Sequence, residues 1–193
     1  MFKSARRELL KRVLPFHNRN MWQWVDDSFN RVDADRIKEM GSNMACAEWL
    51  MKNGAQVRWK DSKNFIKHYD CLVKLSSGPT TQLKIDEVYA GKEASISHLG
   101  FDYFKNCKDI STVSFIGCNS VENEAIKKLI ILKDCLEYLK IIGCVNVTDS
   151  GILSLEQLYR LKYLELKNLQ FFTDRKVIDL LKTALPTCQI IND

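Results

Sequence analysis

The sequence predicts an α/β fold: a short solenoid of parallel strands over residues 76–193, preceded by a small helical cap over residues 21–75. Two observations carry this expectation. A short apolar signature returns several times in the C-terminal part, and amphipathic segments with helical spacing fill the part before it. At 193 residues the chain is long enough to bury a sizeable core, and no run of 18 apolar residues occurs.

Residues 1–20, MFKSARRELLKRVLPFHNRN, hold six basic side chains against Glu8 alone. The remaining chain carries 23 basic and 23 acidic residues, so the formal charge of +5 belongs to this leader. A neutral body argues against a broad nucleic-acid-binding face. Arginine-rich, acid-poor and amphipathic as a helix, the leader reads as a mitochondrial presequence; a basic solvated N-terminal arm and a lipid-binding helix are the alternatives.

In the cap, Trp22, Val25, Phe29 and Val32 fall three to four residues apart, a helical stripe that Gly41 ends, with a turn near Asp33–Asp35 able to split it. Trp24 lies off that stripe and suits packing or partner contact. SNMACAEWLMKNG predicts a second helix, with Ser42 or Asn43 as cap and Gly54 as stop. AQVRW alternates like a strand, and NFIKHYDCL reads as a short helix with Phe65, Tyr69 and Leu72 inward. SSGPT, residues 76–80, is the linker.

The repeat follows. Leu83, Ile85 and Val88 occupy relative positions one, three and six, and Val113, Phe115 and Cys118 repeat them. Leu139, Ile141 and Cys144 do so again, then Leu164, Leu166 and Leu169, with a partial copy from Cys188 through Ile190. The intervals are 30, 26, 25 and 24 residues, and Ile110, Leu136 and Leu161 each stand three residues ahead of a first position. This LxxLxLxx(C/L) pattern is a leucine-rich repeat. Positions one and three of a strand share a side, so they enter the core, while Lys84, Ser114, Lys140 and Glu165 between them face outward. GCVNVTDSGILSLEQL resembles the cysteine-containing class of these repeats; Asp149 or Ser150, and later Thr173 or Asp174, suit the starts of the return limbs.

Catalytic vocabulary is sparse. GKEAS lacks the earlier glycine of a phosphate loop, and neither His68 nor His98 has a nucleophile pattern around it. Seven cysteines without a CxxC read as small core hydrophobes, and Cys118 and Cys144 plug equivalent turns, where a redox pair is the less favoured reading. Asp26, Asp27, Asp33 and Asp35 form an acidic stretch whose ordinary roles are helix capping and solvation; a hard cation such as Mg2+ in the cap is the alternative. The expectation is a protein that is not an enzyme and takes no small-molecule substrate and no nucleic acid.

MWQWVDDSFNRVDADRIKEMG, then ACAEWLMKNGAQVRW, then four repeats ending LKTALPTCQI, resembles the mitochondrial ATP synthase coupling factor B family, also called ATP synthase subunit s. The resemblance covers nearly everything after the leader. It implies a peripheral protein on the matrix side of the mitochondrial inner membrane, bound to the membrane sector or peripheral stalk of ATP synthase, that supports coupling of proton flow to ATP synthesis. It also implies a magnesium association in the cap, for which no strict ligand motif stands here. The vicinal thiols discussed for that family are missing: VYAG stands where a Cys-x-Cys near the first repeat would be. Related leucine-rich proteins assemble the membrane arm of respiratory complex I, an alternative role; a leucine-rich substrate adaptor is a third, for which residues 21–75 lack an obvious module. The expected partner-binding residues are Trp22 and Trp24 in the cap, with Lys84, Ser114, Lys140 and Glu165 on the strands.

Overall fold

A computed structural model of the chain describes residues 27–66, 69–76 and 83–193. The expected presequence, Trp22, Trp24, Asp26, His68 and most of the SSGPT linker lie outside those residues.

The helices α1 (Ala34–Met40), α2 (Ser42–Lys52) and α3 (Tyr69–Ser76) bracket β1 (Gln56–Trp59). Five further strands follow: β2 (Ile85–Ala90), β3 (Thr112–Ile116), β4 (Tyr138–Ile142), β5 (Tyr163–Lys167) and β6 (Gln189–Asn192). A 3-10 helix (His98–Asn106) joins β2 to β3, and α4 (Asn123–Lys128), α5 (Asp149–Leu153) and α6 (Arg175–Ala184) form the later return limbs. Among the described residues the six strands make one sheet in sequence order, parallel throughout except for the antiparallel β1–β2 pair. Such a single-file parallel order, each strand returning by one short limb, is a solenoid-like α/β architecture.

Val113, Leu139 and Leu164 align on adjoining parallel strands, and Phe115, Ile141 and Leu166 align beside them, all buried. The end copies depart from the expected register. The partner of Val113 in β2 is Val88 and that of Phe115 is Ala90, so Leu83 and Ile85 are not its strand-core pair. At the other end Leu164 pairs with Ile190 rather than Cys188. The observed first positions, Val88, Val113, Leu139, Leu164 and Ile190, are spaced 25, 26, 25 and 26 residues apart. Leucine spacing misplaces both end copies because the hydrogen-bonded ladder outranks the choice of apolar residue: β2 is aligned by β1 on one side as well as β3 on the other, and β6 by β5 alone.

The coils lock together at both corners. Ahead of the strands, Glu137 and Tyr138 donate their amides to Ser111 O, and Lys162 and Tyr163 donate to Glu137 O. Behind them, Gly117 N–H donates to Ile142 O and Gly143 N–H to Lys167 O at φ of +64° and +63°, a conformation that glycine adopts without a Cβ penalty. The third such corner is Asn168, also at positive φ, whose amide goes to the Asp193 carboxylate at 2.8 Å. Cys118 and Cys144 are buried with their thiols toward carbonyls of the preceding coil, Ala94 O and Phe115 O. Burial pushes the Cys144 thiol up to about 11, so it stays a neutral plug.

Two expected caps are redistributed. The position ahead of α5 is Thr148, and Asp149 accepts instead from the Thr173 and Asp174 amides of the next coil. Asn123 reaches forward in the same way, its carbonyl oxygen accepting from Thr148 N–H and its amide donating to Thr148 Oγ1. The Thr-Asp of this motif is thus a staple between coils. Asp174 caps α6 as expected. In the cap segment Gly41 precedes α2 in positive φ, and Asn43 accepts from Ile85 N–H rather than capping its own helix.

One apolar cluster runs from α2 through every coil to Leu185. Its densest part surrounds Trp49: Tyr103 stacks on the indole at 5.5 Å, while Phe101 and Phe104 meet it edge-on. Phe29 departs from its expected inward place and is 40% exposed. Glu48, 4% exposed, ties the cap together through Arg36 Nε at 2.7 Å, Lys52 Nζ at 2.6 Å and Tyr69 OH at 2.7 Å. α3 begins later than the residues Phe65–Leu72 suggest; Ile66 forms a bridge to Val57, and Phe65 packs edge-on against Tyr89.

Candidate functional site: the outward face of the sheet

Strand side chains alternate, so burying Val113, Leu139 and Leu164 commits their neighbours to the opposite face. Ser114, Lys140 and Glu165 stand side by side there, aligned across β3, β4 and β5. Lys84 is not in this row. It precedes β2 and pairs with Asp109 at 3.3 Å; its expected place is taken by Tyr89, opposite Ser114. The shift is the register difference described above.

Two parallel rows flank the first. Glu87, Thr112, Tyr138, Tyr163 and Gln189 align on one side, and Ile116, Ile142 and Lys167 on the other. Tyr138 is 42% exposed, while Tyr163, Ile116 and Ile142 are half-buried. The surface therefore carries its own aromatic and aliphatic area, a composition that suits protein contact. These residues follow from strand parity once the register is known, two positions either side of Ser114, Lys140 and Glu165.

Glu165 is the electrostatic centre. Lys167 Nζ lies 2.7 Å from its carboxylate, Lys140 Nζ 3.2 Å, and Tyr163 OH 3.2 Å. The Lys167 hydrogen bond, followed by those of Lys140 and Tyr163, outweighs partial burial and holds the Glu165 carboxyl at about 2. Lys140 also sits 5.8 Å over the Tyr163 ring. At the opposite end, Arg58 on β1 bonds Asp86 at 2.6 Å, Glu87 and the Ser62 carbonyl. Two cations thus share one carboxylate across β4 and β5, while one cation bridges two carboxylates across β1 and β2.

Asp33 caps α1 by accepting from Arg36 N–H, and Asp35 pairs with Lys38. Among the described residues, no three His, Cys, Asp or Glu side chains gather as metal ligands would. No helix among them is long and apolar enough to cross a membrane.

No family model matches the chain. Curated proteins do: ATP synthase subunit s, mitochondrial, of Homo sapiens is 33% identical over 178 residues, which cover 90% of this chain and 86% of the relative. The Bos taurus protein of that name has the same identity and coverage, and the Rattus norvegicus one is 31% identical over 198 residues, 98% of this chain and 96% of its own. The chain belongs to the ATP synthase subunit s family. Matches of that length span the cap and all the coils, so the ATP synthase subunit s likeness is a property of the whole architecture and not of repeat spacing alone.

Proposed function

We propose that this protein is a non-catalytic mitochondrial accessory subunit that binds the membrane sector of ATP synthase and supports coupling of proton flow to ATP synthesis. It works by occupancy and not by turnover, docking peripherally on the matrix side of the inner membrane after an N-terminal presequence directs its import. The observation that carries this reading is the 33% identity to human ATP synthase subunit s along 90% of the chain. The outward sheet face supports it physically: a preorganised surface loses little conformational entropy on docking. Its tyrosines, isoleucines and ion pairs suit a protein partner better than a nucleic-acid backbone. Native complex profiling of mitochondria tests it. Comigration with ATP synthase, together with increased proton leak on depletion, is the expected result. Comigration only with complex I assembly intermediates overturns it.

A further inference from the structure

The two edges of the sheet are finished differently. The outer side of β1 is covered, because Val57 exchanges backbone hydrogen bonds with Ile66 in an antiparallel bridge. No described residue covers β6 in this way. Gln189 N–H donates inward to Lys162 O at 2.8 Å. Since each strand residue presents its amide and carbonyl to one side and its neighbours to the other, Ile190 and Asn192 present theirs away from β5. Gln189–Asn192 contains no charge and no proline, and no irregularity interrupts its pairing with β5. Charge, proline and bulge are the ordinary devices that keep an edge from pairing.

The limb beside this edge is unfinished too. Leu180 on α6 is 52% exposed, and Ile190, at a position buried in each preceding coil, is only half-buried. A coil edge that stays uncovered normally carries a polar outer surface.

We propose that β6 is a pairing edge for a second copy of this chain, joined antiparallel, β6 to β6, about a two-fold axis at Ile191. The sequence of the edge selects this occupant. With the axis at Ile191, Ile190 faces Asn192 of the other copy, and these residues carry the free amides and carbonyls, so each such pair closes two hydrogen bonds. Ile191 then meets its own counterpart on the outward face, apolar against apolar. Asp193 falls opposite Gln189 and not opposite another carboxylate. A self-complementary surface of this kind generates a closed dimer rather than a filament.

Sedimentation equilibrium of the full chain over roughly two decades of concentration tests the proposal, since the apparent mass of a reversible dimer rises by mass action. Ile191→Lys sets two cations across the axis, and Asn192→Pro removes an outward amide while leaving the bonds to β5 intact. The expected result is a wild-type mass that rises to twice that of the chain, with association weakened at least about tenfold in each variant. Circular dichroism should stay unchanged, as should the melting temperature at concentrations where the wild type is monomeric, and Asn192→Pro decides the matter if Ile191→Lys proves unstable. A wild-type chain that remains monomeric throughout overturns the proposal and leaves the edge to a strand of a different protein. A dimer that both folded variants preserve overturns it as well.

Discussion

Lys140 and Glu165, 25 residues apart in the chain, face each other across β4 and β5 with Nζ 3.2 Å from the carboxylate. They bind each other, Lys167 binds the same carboxylate, and Tyr163 completes it. The group displays a patterned charge between two tyrosines and two isoleucines, held in place before any partner arrives.

Exchanging the two charges, Lys140→Glu with Glu165→Lys, keeps a cross-strand ion pair but puts a second cation beside Lys167. Glu165 is only 8% exposed, so a lysine there beside Lys167 should cost the monomer about 1–3 kcal/mol, a shift of several degrees that leaves it folded. Partner capture should fall by about tenfold or more if the row lies in the footprint. Pull-down of ATP synthase with folded variant and wild-type protein measures this, and equal recovery would remove Lys140 and Glu165 from the contact.

Acid should loosen the cap. Burial pushes the Glu48 carboxyl up, but Arg36, Lys52 and Tyr69 outweigh it and hold it at about 2. A carboxyl depressed in the folded state contributes its full stability above its unfolded value, about 4.3, and loses it as pH falls toward the folded value. Stability should therefore decline between about pH 4.5 and pH 2, Glu165 adding to the same window. Glu48→Gln should cost about 2 kcal/mol near neutral pH, less than a fully buried pair because Arg36 and Lys52 reach solvent. Urea melts at pH 7 and pH 3 should show the variant and wild type converging at the lower pH.

Gly100 makes room for Trp49. A Cβ there would stand 2.2 Å from the indole Cε2, inside the aromatic group formed with Phe101, Tyr103 and Phe104. Gly100→Ala should cost about 2–3 kcal/mol by overpacking and change the near-ultraviolet circular dichroism of the tryptophan. Gly143→Ala, where the Cβ would make only an ordinary 3.7 Å contact with Gly117 Cα at φ of +63°, should cost only about 1 kcal/mol from backbone strain.

Leu139 lies fully buried at the middle of the wall of first-position residues. Leu139→Ala should lower stability by about 3 kcal/mol through lost burial and the cavity it leaves. Because one apolar cluster joins α2 to the last coil, calorimetry should still show a single transition. Separate melting of the cap and the coils would contradict that linkage.

The sequence alone determined the central coils. Val113, Leu139 and Leu164 could be read from spacing, because burial on one side of a strand imposes a local, two-residue alternation that survives without knowledge of neighbours. Ser114, Lys140 and Glu165 followed as the opposite parity. The tertiary structure decided what depends on a partner strand or a partner coil. It moved the first copy to Val88 and Ala90, replaced Lys84 by Tyr89, carried Asp149 forward to staple the next coil, and gathered Arg36, Lys52 and Tyr69 on Glu48. Those choices rest on hydrogen bonds between segments distant in sequence, whose energies appear only when the chain has closed on itself, and no local periodicity encodes them.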